Sequence, residues 1–293
     1  MKAVLRAASL AIGTVGLCAC SGPVSHAPEA SLHASTVAAR SSASPSPTPA
    51  PTTVATPAPV DAAYVAGQLS EIEPAILAAD TSPPEYVSLG QREQQMYHLL
   101  AAHPDWVAAV MAGLPAPVAA TVQANLLAAQ QIDTLNGSRS QLPHWRIIAP
   151  PPPEVLLGYY REAEQAFGIP WQYLAAINLI ETNMGRIQGL SSAGAQGPMQ
   201  FMPATWAAYG RGDVNNPHDA ILAAGRYLRA AGAARNLSRA IYAYNNSDLY
   251  VRAVTLYAKQ MIDNERAFFA YYNWQVYVAT TGGDVLLPEG FTG

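Results

Sequence analysis

Trp171-Gln-Tyr-Leu-Ala-Ala-Ile-Asn-Leu-Ile-Glu-Thr-Asn-Met184 is apolar on nearly every side until it reaches Glu181. Such a run predicts a helix buried on most faces, opened by Pro170 behind the stop signal Gly168-Ile-Pro170. A carboxyl group at the end of a buried helix loses solvation of its charged form, so its pKa should rise. It then stays protonated near neutral pH and can give a proton to a leaving oxygen. The other reading of Glu181 is a buried acid satisfied by a structural partner.

The neighbouring segments have the same helical character. Glu154 to Phe167 places Leu156, Leu157, Tyr160 and Ala163 inward. Downstream, helices are expected over Asp219 to Ala231, Leu237 to Tyr244 and Asp248 to Ile262. The last of these carries Val251, Val254, Tyr257 and Met261 largely on one side. Trp274 to Thr280 and Asp284 to Leu287 flank Thr281-Gly-Gly283 and predict a β-hairpin. Upstream, Val65, Leu69, Ile72 and Ile76 share a helical face. Further helices are expected over Glu93 to Ala102, Trp106 to Met111 and Val118 to Ile132. These stripes read as packing surfaces. The fold class is therefore mainly α, with an N-terminal helical region over 61–143, a body over 144–293 and a small C-terminal β-hairpin.

The first sixty residues have a different character. Lys2 and Arg6 precede the short apolar run Leu10 to Leu17, so residues 1–19 read as an export signal too short to span a bilayer. Leu17-Cys18-Ala19-Cys20 resembles a bacterial lipobox, which makes Cys20 the expected lipidation site of a lipoprotein of actinobacterial type. The alternative is ordinary cleavage and secretion. Residues 20–60 contain Ser44-Pro-Ser-Pro-Thr-Pro-Ala-Pro51, a composition that cannot build a core and reads as a disordered tether. The expected location is the outer face of a membrane.

Composition removes several function classes. The 293 residues are 50% hydrophobic and 12% charged with net charge -4, so no broad cationic surface for nucleic acid is expected. Both cysteines lie within the first twenty residues. Zinc fingers, iron–sulfur clusters and disulfide scaffolds are excluded.

Glu181-Thr-Asn-Met-Gly-Arg186, a Gly-rich turn, Gly197-Pro-Met-Gln-Phe-Met-Pro203 and Ala243-Tyr-Asn245 occur in that order. Together they resemble the lytic transglycosylases, enzymes of the lysozyme superfamily that cut peptidoglycan, over about residues 155–260. The resemblance implies a lysozyme-like catalytic domain of the goose-type and lytic transglycosylase kind. It implies glycan strands as substrate and Glu181 as the catalytic residue. Ordinary glycosidases flank the scissile bond with two carboxylates, but this motif offers one. In the family the same Glu acts first as acid and then as base on the C6 hydroxyl of the muramic acid ring. That hydroxyl displaces the glycan internally and leaves a 1,6-anhydro end.

Other roles carry over by motif position. Ser191 would hydrogen-bond sugar or peptide, Gln200 and Met202 would line the groove, Tyr244 would reach the Glu or the sugar beside it, and Asn245 would hold the turn or touch substrate. Structural alternatives stand beside these: Met202 as core, Asn245 as a helix cap, and Asp213 and Asp219 as turn or cap residues. Tyr271, Tyr272, Trp274 and Tyr277 either stack on sugars or anchor the tail to the core.

Two features depart from the pattern. The soluble type usually has Glu-Ser, whereas Glu181-Thr182, Gly185-Arg186 and Gln-Phe-Met-Pro look more like the membrane-bound B type, whose long insertion is absent here. The stretch Tyr209 to Asp219 is also too short for that type's calcium loop. No metal or other cofactor is expected, and the chain is expected to act as a monomer. Two alternatives accompany this reading: a goose-type muramidase hydrolysing the same bond, and a non-catalytic peptidoglycan-binding lipoprotein.

Overall fold

The computed structural model describes residues 60–293, which fall within one compact unit. The export signal, Cys20 and nearly all of the tether lie outside the described residues.

Four helices form an N-terminal layer: α1 (Ala62–Leu77), α2 (Pro83–Ala102), α3 (Val107–Gly113) and α4 (Ala116–Asn136). The expected stripe of Val65, Leu69, Ile72 and Ile76 is buried between them. Helix α2 begins ten residues before the expected Glu93. The Ser82-Pro83-Pro84-Glu85 sequence opens the helix here: Pro83 takes the first position and the Glu85 carboxylate accepts from the Ser82 N–H at 2.7 Å.

A second helical group follows: α5 (Pro153–Phe167), α6 (Trp171–Thr182), α7 (Pro203–Tyr209), α8 (Pro217–Ala230), α9 (Leu237–Tyr244), α10 (Asp248–Asp263) and α11 (Ala267–Tyr272). Short strands β1 (Arg146–Ile147) and β2 (Ile187–Gln188) pair antiparallel and bring the chain before α5 against the chain after α6. The expected hairpin forms from β3 (Val276–Thr280) and β4 (Gly283–Leu287), with Val276 opposite Leu287. Helix α10 packs against α4 on one side and α6 on another, which joins the two groups.

The N-terminal layer buries acids that its apolar spacing does not announce. Glu73 on α1 and Glu93 on α2 are 3% and 2% exposed. Tyr97 Oη donates to Glu73 Oε1 at 2.6 Å, and Trp274 Nε1 donates to Glu93 Oε2 at 2.9 Å. Asn125 on α4 donates to Tyr97 Oη at 2.9 Å and accepts from Tyr271 Oη at 2.6 Å. Burial raises the pKa of Glu73 to about 7 against the lowering pull of the Tyr97 bond. Burial, then the neighbouring Glu73 charge, lifts Glu93 well above the usual carboxylate range. The two carboxyls influence each other's titration, so they gain and lose protons as a pair.

A carboxyl whose pKa is raised on folding favours the folded state below its unfolded value and loses that advantage as pH climbs to the folded value. Stability should therefore decline between about 4.5 and about 7. The double substitution Glu73→Gln, Glu93→Gln should flatten that decline, measured as denaturation midpoint against pH.

Candidate active site

Helix α6 forms because Trp171 to Leu179 can be buried almost throughout: Leu174, Ala175, Ala176 and Ile177 have no exposed surface. Pro170 stands at the N-cap and Thr182 ends the helix. Three successive left-handed residues follow, Asn183, Met184 and Gly185, with φ of 50°, 61° and 88°. Two of them are not glycine, a conformation that costs about 1–2 kcal/mol per residue. It persists because the surroundings fix it: the Asn183 and Met184 N–H groups donate to Leu179 and Asn178 carbonyls at 2.9 and 3.1 Å.

Beneath this turn, Asn178 is fully buried and fully occupied. Its Oδ1 accepts from Tyr160 Oη at 2.6 Å, while its Nδ2 donates to the Pro198 carbonyl at 2.8 Å and to Thr182 Oγ1 at 3.2 Å. Thr182 Oγ1 donates to the same Pro198 carbonyl at 2.5 Å. The end of α6 is thereby tied to the Gly197-Pro-Met-Gln segment. Gly197 is required there: at φ 71° a Cβ would sit 1.9 Å from the Val214 carbonyl oxygen. Gln196 and Phe201 then close a tight bridge, exchanging backbone bonds at 2.9 and 2.8 Å.

Glu181 faces a cleft of about 590 Å³. Its Oε1 accepts from Tyr250 Oη on α10 at 2.6 Å. Desolvation raises its pKa to about 7, outweighing the Tyr250 bond that pulls it down. No other carboxylate contributes to that shift. Asp133 and Asp284 also border the cleft; Asp284 bonds His98 Nδ1 at 2.7 Å. Asp213 and Asp219 do not border it. The Asp219 carboxylate, in the first turn of α8, accepts from Asp213 N at 3.0 Å and the Asp213 carboxylate from Asn215 N at 2.9 Å, so both hold the turn that leads into that helix. Among the described residues no group of three or more His, Cys, Asp or Glu is arranged to hold a metal ion.

Ser191, Gln200, Met202, Tyr244 and Asn245 all border the same cleft as Glu181. Each also has its own place within the protein. Ser191 Oγ accepts from Ala193 and Ala195 N–H at 3.2 and 3.0 Å and so shapes the Gly-rich loop. Gln200, at φ 49°, donates its amide to the Gly197 carbonyl at 2.9 Å. Met202 is 42% exposed, so it is not core. Asn245 stands at the C-cap of α9. Tyr244 Oη donates to the Met199 carbonyl at 2.7 Å; the hydroxyl that bonds Glu181 belongs to Tyr250, six residues later. In the sequence the one signal for Tyr250 is a place on the apolar side of an amphipathic helix. The four C-terminal aromatics divide: Tyr271 is buried, Tyr272 donates to the Pro151 carbonyl at 3.1 Å, and Trp274 and Tyr277 border the cleft.

Residues 158–266 match the family model of the Transglycosylase SLT domain. The match runs from within α5 to the residue before α11, and it supports the lytic transglycosylase family, with peptidoglycan as the substrate and a mainly helical, lysozyme-like fold. No curated protein and no solved structure matches the chain significantly.

Replacing Asn178 with Leu keeps the branching and heavy-atom count but leaves the Tyr160 hydroxyl and the Pro198 carbonyl without their amide partner. Denaturant melts should show a loss of about 2–3 kcal/mol, with activity falling as the turn after Glu181 loosens.

Proposed function

We propose that the protein cleaves the β-1,4 bond between N-acetylmuramic acid and N-acetylglucosamine in peptidoglycan, with Glu181 as its single acid and base. The observation that carries this reading is a desolvated carboxyl of pKa about 7, facing the cleft and held by Tyr250 at 2.6 Å, with no other carboxylate contributing to its shift. At neutral pH such a group is divided between its two protonation states, which suits a residue that must give a proton and then take one.

The protonated Glu181 donates to the glycosidic oxygen as the bond from muramic acid C1 to that oxygen breaks. The C6 hydroxyl oxygen of the same ring then bonds to C1, and its proton passes to the Glu181 carboxylate. The acid is regenerated, a 1,6-anhydro ring forms and no water is consumed. Tyr250 acts as a positioning residue through its bond to Oε1. Gln200, Met202 and Tyr244 border the bound glycan, while Ser191 and Asn245 fix the loops that approach it. Upstream, Cys20 carries lipid and residues 20–60 tether the body at the outer face of the membrane.

Mass spectrometry of digested sacculi tests the chemistry. Anhydro ends, lighter by one water than hydrolysed ends, should appear with the wild type and vanish with Glu181→Gln. The expected rate loss reaches or exceeds about 10⁴-fold, the upper end for general acid–base catalysis. Hydrolysed ends instead would favour a muramidase that activates water. Activity should fall as pH rises through about 7, where Glu181 loses its proton. Tyr250→Phe removes an influence that lowers this pKa, so it should move the alkaline limb to higher pH.

The tether and anchor have their own test. Cys20→Ser should release the protein from membranes. Deletion of 21–60 should spare turnover on purified peptidoglycan, because that composition cannot contribute to a packed core; loss of turnover would place the segment in the site.

A further inference from the structure

The cleft that Glu181 faces has a second wall, built outside residues 158–266. Gln94 and Tyr97 on α2, Asn125 on α4, Trp274 and Gln275 between α11 and β3, and Tyr277 on β3 border it. Helix α10 relates this wall to the acid. Tyr250 bonds Glu181, and Tyr257 packs edge-on against Trp274 with ring centroids 5.8 Å apart. Seven residues of α-helix rise roughly 10 Å, so the wall lies along the cleft from the acid rather than beside it.

The wall is held from behind by three hydrogen bonds. The Trp274 indole N–H donates to Glu93 Oε2 at 2.9 Å, and the Gln94 side chain makes a reciprocal pair with the Gln275 backbone at 2.7 and 2.8 Å. Tyr97 and Tyr271 add edge-on contacts to the indole at 6.1 and 4.9 Å. Trp274 is half-buried, fixed at its nitrogen by Glu93, and borders the cleft. A rigid aromatic surface loses little entropy when a ligand settles on it. Around it the Gln94 and Asn125 amides and the Tyr97 hydroxyl are buried and bonded within the protein, while Tyr277, His98, Asp133 and Asp284 also border the cleft. An aromatic surface with polar side chains beyond it fits a pyranose ring, which has an apolar face and a rim of hydroxyl and acetamido groups.

We propose that this second wall is a glycan-binding subsite in which Trp274 stacks on a sugar remote from the scissile bond, with Glu93 and Gln94 as the positioning residues that fix the indole. The proposal rests on Glu181 marking the point of cleavage. It gives the buried Glu93 a role, because its carboxylate supplies the acceptor for the indole N–H.

The experiment uses the full chain. Binding of short and long β-1,4-linked N-acetylglucosamine oligomers, and of glycan strands stripped of peptide, is measured with Glu181→Gln alone and combined with Trp274→Ala. Long oligomers and stripped strands should bind about tenfold more weakly without the indole, equivalent to about 1.4 kcal/mol, and short oligomers far less so. On sacculi, Trp274→Ala should raise KM about tenfold while kcat stays within about threefold and the alkaline limb stays in place. Glu93→Leu should reproduce the KM rise. Glu93→Gln, which keeps an acceptor for the indole N–H, should recover most of the loss.

Equal binding of long strands by folded Trp274→Ala overturns the subsite. So does a loss confined to peptide-bearing fragments, which would assign the wall to the stem peptide. Joint collapse of kcat, KM and thermal midpoint would reduce Trp274 to a structural residue and overturn it as well. Should Trp274→Ala fail to fold, Trp274→Phe and Tyr277→Ala carry the same comparison. Cleavage that survives Glu181→Gln would instead sink the proposed chemistry, and the binding measurements would still decide the wall.

Discussion

The carboxyl of Glu181 sits where an apolar helix runs out, and much of the architecture serves to hold it there. Burying α6 from Trp171 to Leu179 draws α5, α8 and α10 around it. The helix must then end within the protein, and its last carbonyls need partners. They find them in Asn183 and Met184, whose left-handed conformations are sustained by the buried Asn178 network. The same network ties the turn to Pro198. Asn178, Thr182 and the Pro198 carbonyl satisfy one another beneath the helix end, and the Glu181 carboxyl keeps a single protein hydrogen bond.

That arrangement makes the acid chemically useful. Desolvation drives its pKa upward, and one phenol hydrogen bond draws it back to about 7. Two further carboxyls in the N-terminal layer obey the same physics with a different outcome. Glu73 and Glu93 are also desolvated, but they face each other, Tyr97 and Trp274. Their surroundings satisfy them structurally. Identical residue types thus take different roles according to whether the desolvated group opens onto a cleft or is closed in by partners.

The matched segment supplies the acid, and residues outside it supply much of the opposite side of the cleft. Helix α10 couples the two, packing on α4 and α6 and carrying both Tyr250 and Tyr257. The hairpin that follows α11 closes on the N-terminal layer through Gln94 and Gln275 and through His98 and Asp284.

The sequence alone determined the helices wherever apolar spacing was regular, the hairpin at Gly282-Gly283, and the acid ending a buried run. These are local properties: periodicity, turn residues and a charge out of place are visible in a window of a dozen residues. Ser82 to Glu85 is equally local, but two prolines mark a helix stop as readily as a start. Only the tertiary structure decided which tyrosine reaches Glu181, since Tyr244 and Tyr250 differ by position on successive helices and both carry a phenol. It also decided that Glu73 and Glu93 meet, and that Trp274 borders the cleft while Tyr271 does not. Those facts rest on side-chain bonds such as Glu93 to Trp274, between residues 181 positions apart. No periodicity records such a contact; it exists once the helices have packed.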